Sequence, residues 1–542
     1  MRICWTCFWM GSLVALLSGG LGCRKPPPPP PAPALLASWH FVGGEAVNAS
    51  TNGGTLKSLL ALPESQALRE QTLDKLALAP FAHLKSRWAY STNDCGELLR
   101  PLFADLLSAE SYFEMRGLSN QPPEWTLAVR LPAAAAERWL TNLETTVQTW
   151  TQISPTNITG PGYSGWRLKK HHSPDLLGVV LAQDWVLVGA GTGEALDLQA
   201  EFARRIHDTG RPVAVETNHW LTAMVDWPRL PALPFWLAAL RLPQTTLTVA
   251  ARDENLQTRM ELQFSQPHHW QSETWQLPTN TIREPVVSFA ALQGFGPRLQ
   301  PYLQALGLEL GLTPNQLCTW ALAEIPFQTF LAIPHADATN AMERLAQQLP
   351  PLFNTNTQGL ALGTWRATTN GQAIIWEGMP FFGGFLRPAY EEAEQGFLLG
   401  GLFPNTPRKV PPPPELFAQV LGHTNLVYYD WEIGAERLIA WRNMAQLALL
   451  LADKPQLRPD SAGAKWIEAV APRIGNIGTT LTVTGPDRMT WVRQSPYGFT
   501  SVETILLVNW LESVTFPWGY ELPAPPPPKR KTTAPPPSAT KP

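Results

Sequence analysis

"TTLTV" occupies residues 245–249 and recurs, identical, at 479–483. Each instance opens what reads as a β-hairpin. An alternating strand leads into a polar turn ("ARDENLQ" or "TGPDR"), and a second strand carries Arg259-Met260 or Arg488-Met489. Upstream, further blocks pair in unchanged order. "AMVDWPRL" (223–230) matches "VYYDWEIGAERL" (427–438), with Asp226-Trp227 against Asp430-Trp431. "GWRLKK" (165–170) matches "TWRATT" (364–369) through Trp166-Arg167 and Trp365-Arg366. "TLAVRLPAAAAERWLTNLETTV" (126–147) matches "TFLAIPHADATNAMERLAQQL" (329–349): a strand, a helix entry at Pro132 or Pro334, and an amphipathic helix with Glu137-Arg138 or Glu343-Arg344. The starts, "SWHFVGG" (38–44) and "VSFAALQG" (287–294), are looser.

Blocks kept in order imply an internal duplication spanning 36–270 and 284–500. The second copy carries an added helical stretch at 434–454, and residues 501–522 read as a C-terminal helix and extension. Each copy reads as strand, helices, strand, helix, two or three strands, helix, strand, hairpin. Intermixed helices and hairpins predict an α+β fold of two tandem units with antiparallel sheets. A pseudo-twofold arrangement follows, with edge-to-edge and face-to-face joining both open.

"WVLVGAGTGEALDLQAEF" (185–202) has the outline of a phosphate loop, with Gly189, Gly191 and Gly193 before a helix. A dinucleotide fingerprint needs a third glycine where Glu194 stands, and a carboxylate there opposes a pyrophosphate. The matching "QGFLLGGLFPNTP" (395–407) has Leu402-Phe403-Pro404 after its glycines and builds no cradle. Both are read as strand-end turns in which glycine permits positive φ. No nucleotide or other cofactor is expected.

Other catalytic patterns are weak. Ser164 in "GYSGW" lies in a Gly/Pro stretch without nucleophile-elbow spacing. The doublets His171-His172 and His268-His269 point their rings to opposite sides of an extended chain. The acidic run Glu391, Glu392, Glu394 reads as a solvated face. There is no zinc spacing, so no metal site is expected. Trp139, Trp166, Trp227, Trp365 and Trp431 read as core, and Asp226-Trp227 with Asp430-Trp431 form the candidate ligand surface.

The 542 residues carry a net charge of −3, which excludes nucleic acid as the partner of the protein as a whole. The leader "MRICWTCFWMGSLVALLSGGLGC" has one early charge, a short apolar stretch and small residues before Cys23. It resembles a bacterial lipoprotein signal. Gly20-Leu21-Gly22-Cys23 stands at the lipobox, with Gly20 where Leu is usual. That resemblance implies removal of 1–22 and lipid on Cys23. The proline-rich 23–35 would then be a stiff polyproline II spacer of about 30 Å. Residues 523–542, with Lys529, Arg530 and Lys531, read as an extended basic tail. Cys4 and Cys7 leave with the leader, so Cys95 and Cys318 remain, with a disulfide between them open.

In layout the body resembles two-repeat bacterial envelope lipoproteins, a resemblance that implies no activity. The expectation is an exported, membrane-anchored protein with a non-catalytic binding or scaffolding role toward an envelope protein or glycan. Glycan binding, lipid binding and hydrolysis are the alternatives. Exposed Trp rings in one groove, a deep apolar cavity, or a nucleophile–base–acid cluster would distinguish them.

Overall fold

The computed structural model describes residues 33–523 apart from 86–90, 118–121, 170–174, 194, 215–217, 232–240, 269, 271, 309, 324–327, 359–362, 379–382, 392–394, 404–409 and 453. Cys23, most of the proline-rich spacer and the basic tail lie outside the described residues. So do His171, His172, His269, Glu194, Glu392 and Glu394.

The first half runs β1 (Ala34–Phe41), α1 (Gly44–Ala49), α2 (Gly54–Leu60), α3 (Pro63–Leu84), α4 (Gly96–Ser108), β2 (Ser111–Gly117), β3 (Glu124–Arg130) and α5 (Ala133–Thr151). It continues through β4 (Thr156–Gly160), β5 (Tyr163–Lys169), β6 (Asp175–Ala182), β7 (Trp185–Thr192), α6 (Asp197–Thr209), β8 (Leu221–Val225), β9 (Gln244–Arg252) and β10 (Asn255–Gln263). The second half runs β11 (Val286–Gln293), α7 (Gly296–Ala305), β12 (Gln316–Leu322), β13 (Thr329–Pro334), α8 (Ala338–Asn356), β14 (Thr364–Ala367), β15 (Ile374–Glu377), β16 (Gly384–Tyr390) and β17 (Gly396–Gly401). It ends with α9 (Pro414–Ala418), β18 (Leu426–Ile433), α10 (Gly434–Leu451), α11 (Ala462–Val470), β19 (Asn476–Gly485), β20 (Arg488–Ser495) and α12 (Ser501–Glu512).

The fold is α+β, and all 20 strands form one sheet. Every ladder is antiparallel. The first half is ordered β4-β5-β6-β7-β3-β2-β1-β8-β9-β10. The second is ordered β14-β15-β16-β17-β13-β12-β11-β18-β19-β20. The halves join edge to edge where β10 pairs with β20, from Leu256 opposite Ser495 to Gln263 opposite Arg488.

Several local expectations need correction. Two strands, not one, follow the first helices in each half, and four, not two or three, follow α5 and α8. β2 carries Glu114 and Arg116, and β4 is a polar, mostly exposed edge strand, so neither alternates cleanly. Ser164 is not in a loop; it sits in β5 opposite Thr159 and Leu181. The Arg-Met pairs stand at different heights of their hairpins. Arg259 faces Thr248 in mid-strand, whereas Arg488 faces Gly485 beside the turn. Pro132 does precede α5 directly, but Pro334 ends β13, and α8 is entered at Asp337, whose side chain accepts from the Asn340 N–H at 3.4 Å.

The glycines of "VGAGTG" are also not a strand-end turn. Gly189 and Gly191 lie inside β7, and only Gly193 (φ 121°) has the left-handed backbone. Gly178 and Gly189 let α6 approach closely: a Cβ on Gly178 would stand 2.6 Å from the Gln199 side chain. From that position Gln199 Nε2 donates to Gly178 O (2.9 Å) and Leu187 O (3.1 Å), so the buried amide is satisfied.

Helices cover both faces. On the back face, α6 buries Phe202 and Ile206 against β7 in the first half. In the second, Phe417 and the segment through Trp275 and Ile282 cover Phe289, Phe330 and Phe397. On the front face, α4 and α5 cover the first half, and α10, α11 and α12 cover the centre. This central layer ties the halves together. Lys75 of α3 donates to Leu511 O (2.6 Å), Trp466 Nε1 to Ser65 Oγ (2.8 Å), and Trp518 Nε1 to Ala79 O (3.0 Å). Gly434 allows α10 to leave β18 at once, since a Cβ there would stand 2.3 Å from Ile474 Cγ2 and 2.7 Å from the Gly475 carbonyl. No helix among the described residues is long and apolar enough to cross a membrane.

Candidate functional site

The two Asp-Trp pairs occupy different places. Asp226 lies just beyond β8 and meets Arg229 Nε at 3.4 Å, while Trp227 begins a short 3-10 turn and donates to Thr245 Oγ1 at 3.2 Å. Asp430 and Trp431 lie in mid-β18, opposite Thr479 and Gly478. Five strand spacings, roughly 24 Å, separate β8 from β18, so the four residues do not share one surface. Trp431 packs on the back-face core, and Asp430 points to the front.

The same front face is filled differently in the two halves. Over β3, β5, β6 and β7, α5 lays down Trp139 and Trp150, and α4 adds Leu99 and Leu102; all are buried. Over β13, β15, β16 and β17, α8 offers the smaller Ala341, Leu345, Ala346 and Leu349. It also carries Pro350 and Pro351, each lacking a helix donor. Between β11 and β12 the described residues form a single helix, α7, which carries Pro301 inside it. The shortfall in side-chain volume leaves an open cavity of about 750 Å³ under α7 and α8.

Its wall is almost wholly apolar. Leu303, Leu331, Leu345 and Leu398 line it, Trp365 and Trp376 close its outer end, and Thr319 and Thr329 are the hydroxyl-bearing residues in the lining. Phe353 stacks on Trp365 with centroids 4.5 Å apart, which holds the indole in place. The Trp365 Nε1–H is buried and has no hydrogen-bond partner among the described residues. Such a volume lies within the range of about 300–1,000 Å³ typical of small-molecule sites, and an apolar wall with few polar groups is their usual lining.

Beside the cavity, on the same face, lies a charge cluster. Directly paired residues run Leu331–Thr319–Ala290–Asp430–Thr479–Arg493 across β13, β12, β11, β18, β19 and β20. Paired residues project on one side of a sheet, so Asp430 stands about 10 Å, two spacings, from Thr319 of the cavity wall. Thr319, Ala290 and Asp430 are all partly exposed, and Thr479 and Arg493 beyond them are buried.

Arg493 is held by Glu503 through Nη1–Oε2 (2.5 Å) and Nη2–Oε1 (3.0 Å), and its Nε donates to Thr479 Oγ1 (3.1 Å). Glu503 also completes the capping box of α12 with Thr500. Glu432 accepts the Ser501 N–H at 2.7 Å. Burial raises the Glu432 carboxyl, against the pull of the Ser501 hydrogen bond, Arg437 and Arg493. Burial lowers Arg437, which Glu432 and Asp430 counter.

Asp430 makes no hydrogen bond or ion pair among the described residues. Burial, then the neighbouring Glu432, push its carboxyl up to about 7, although Arg493 and Arg437 pull it down. Three nearby hydroxyls are engaged: Thr479 receives Arg493, Ser501 Oγ donates to Gly434 O, and Tyr497 bonds Thr504.

A polar pocket of about 890 Å³ sits where β1, β3 and the β6–β7 turn end. Its Glu110 is flanked by His40 (3.2 Å), Arg211 (3.2 Å) and Arg130 (3.5 Å). Burial would raise Glu110, but the His40 hydrogen bond and the arginine charges outweigh it and hold the carboxyl below its ordinary value. These groups neutralise one another and read as a structural network.

Among the described residues no group of three His, Cys, Asp or Glu could hold a metal. Cys95 and Cys318 are buried free thiols in different cores, and burial pushes Cys318 up to about 12. Among the described tryptophans, Trp139, Trp150, Trp166, Trp185, Trp275 and Trp320 are buried and most others are half-buried. Trp510 and Trp518, at 37% and 58% exposure, lie on the C-terminal segment and away from the cavity lining.

The sequence reading missed the cavity. Its one signal was the contrast between Trp139 and Trp150 in one helix and Leu345 and Leu349 in the matching one. No protein-family model matches the chain, and no curated protein or solved structure is detectably similar to it.

Proposed function

We propose that this protein is an exported, lipid-anchored envelope protein of two tandem α+β copies. Its role is non-catalytic binding of an apolar, acyl-chain-like ligand under α7 and α8. The cavity of about 750 Å³ with an almost wholly apolar wall is the observation that carries the binding reading. The shared strand order of the two halves supports the duplication. On that reading one copy keeps a solid front core, and the other has exchanged it for a ligand site. The leader and the proline-rich spacer support anchoring, with Cys23 as the lipidated residue.

Transfer of each methylene from water is worth about 0.8 kcal/mol, or roughly a fourfold gain in affinity. Neutral methyl esters of increasing chain length should therefore bind about fourfold tighter per added carbon until the cavity is full. Leu331→Trp, which fills the cavity centre from β13, should weaken the longest ester by at least about tenfold without loss of thermal stability. Calorimetric titration of both proteins decides it. A flat chain-length series, or undiminished binding by the Trp variant, would refute the site.

Anchoring has a separate test. Radiolabelled palmitate should be incorporated by cells expressing the natural chain and not by cells expressing Cys23→Ala, and the variant should leave the membrane fraction. A variant that stays membrane-bound and unchanged in mass ends the lipoprotein reading.

A further inference from the structure

Two strands from Thr319 of the cavity wall, on the same face of the sheet, stands a charged cluster. Asp430, Glu432 and Glu503 supply three carboxylates, and Arg437 and Arg493 supply two guanidinium groups. Arg493 is matched in bidentate fashion by Glu503, and Arg437 lies in the fields of both Glu432 and Asp430. Three negative charges against two positive leave one negative charge. The carboxylate without a hydrogen-bonded partner among the described residues is Asp430. Ala290, which separates it from the cavity wall in the paired row, is small and partly exposed.

We infer that the ligand is a single-chain amphiphile with a protonated amine at its polar end, received by the Asp430 carboxylate while the chain lies beneath α7 and α8. This rests on the apolar-ligand reading above. An amine supplies what Asp430 lacks among the described residues, a hydrogen-bonded cation, and adds to the more distant pull of Arg437 and Arg493. A fatty acid would bring a third carboxylate beside Asp430 and Glu432, and the repulsion would weaken it. A long-chain alcohol would donate one hydrogen bond without charge and should fall between.

The probes are hexadecylamine, hexadecanol and palmitate, titrated into the purified full chain and into Asp430→Asn. The amine should bind at least about tenfold more tightly than palmitate, with the alcohol between. The Asn variant should lose the amine's advantage and still bind the alcohol. Acidification from about pH 8 to about pH 5 protonates the carboxyl and should weaken the amine but not the alcohol. Glu432, Arg437, Arg493, Glu503, Tyr428 and Tyr429 surround Asp430 and are the same residues in both proteins. Palmitate binding as tightly as the amine, or an undiminished amine preference in the Asn variant, overturns the inference. If all three probes bind alike, the cavity reading stands and the amine inference falls. If none binds the natural chain, both fall.

Discussion

Glu503→Ala is expected to destabilise the protein by about 4 kcal/mol. Removing one partner of a buried ion pair strands the other, typically at about 3–5 kcal/mol, and losing a helix cap adds about 1 kcal/mol. Here the stranded group is Arg493, whose residue is 7% exposed, whereas the Glu503 side chain is 41% exposed. The penalty falls on the guanidinium. We place the total at the lower end of the combined range because the Asp430 carboxylate, one strand beyond Thr479, remains to compensate in part. The variant should also frees the start of α12, since Glu503 Oε2 accepts the Thr500 N–H at 2.9 Å. Urea denaturation of the natural and variant chains measures it. A loss under about 1 kcal/mol would mean that Arg493 finds full compensation elsewhere.

Asp430→Asn should act in the opposite direction and depend on pH. The folded-state value of about 7 lies above the ordinary aspartate value of 3.8, so the native state holds the proton more tightly than the unfolded chain. The resulting stabilisation is complete below the unfolded value and is lost as pH rises through the folded one. Each pH unit between them is worth about 1.36 kcal/mol, and partial exposure of Asp430 reduces the sum to about 3 kcal/mol. The natural chain should lose that much between about pH 4 and about pH 8, and the Asn variant should not. The variant is then the more stable protein at the alkaline end. Parallel pH–stability curves for the two chains would show that Asp430 is well solvated.

The α+β class was legible because hairpin alternation and amphipathic helices are local properties, and "TTLTV" sits in β9 and β19 alike. Short polar strands were not legible. β4, "TNITG", is an edge strand whose partner fixes it more than its own side chains do. The seam between β10 and β20 was out of reach for a related reason. Any alternating edge can pair with any other, and the choice depends on how α3 packs against α11 and α12. In the site, Asp430 was singled out from its pairing with Trp431. Its isolation depends on Arg493 being committed to Glu503, two strands and a helix away. The cavity is a shortage of packed atoms, and no residue type announces it.

The seam also sets an order of events for a chain that emerges N-terminus first. β10 ends at Gln263 and its partner β20 ends at Ser495. At about 5–20 residues per second, the intervening chain takes roughly 10–50 s to appear. Throughout that interval β10 is a bare edge, open to strands of other molecules. Arg259 and Glu261, whose side chains are 51% and 61% exposed even in the finished sheet, place charge along that edge while it waits.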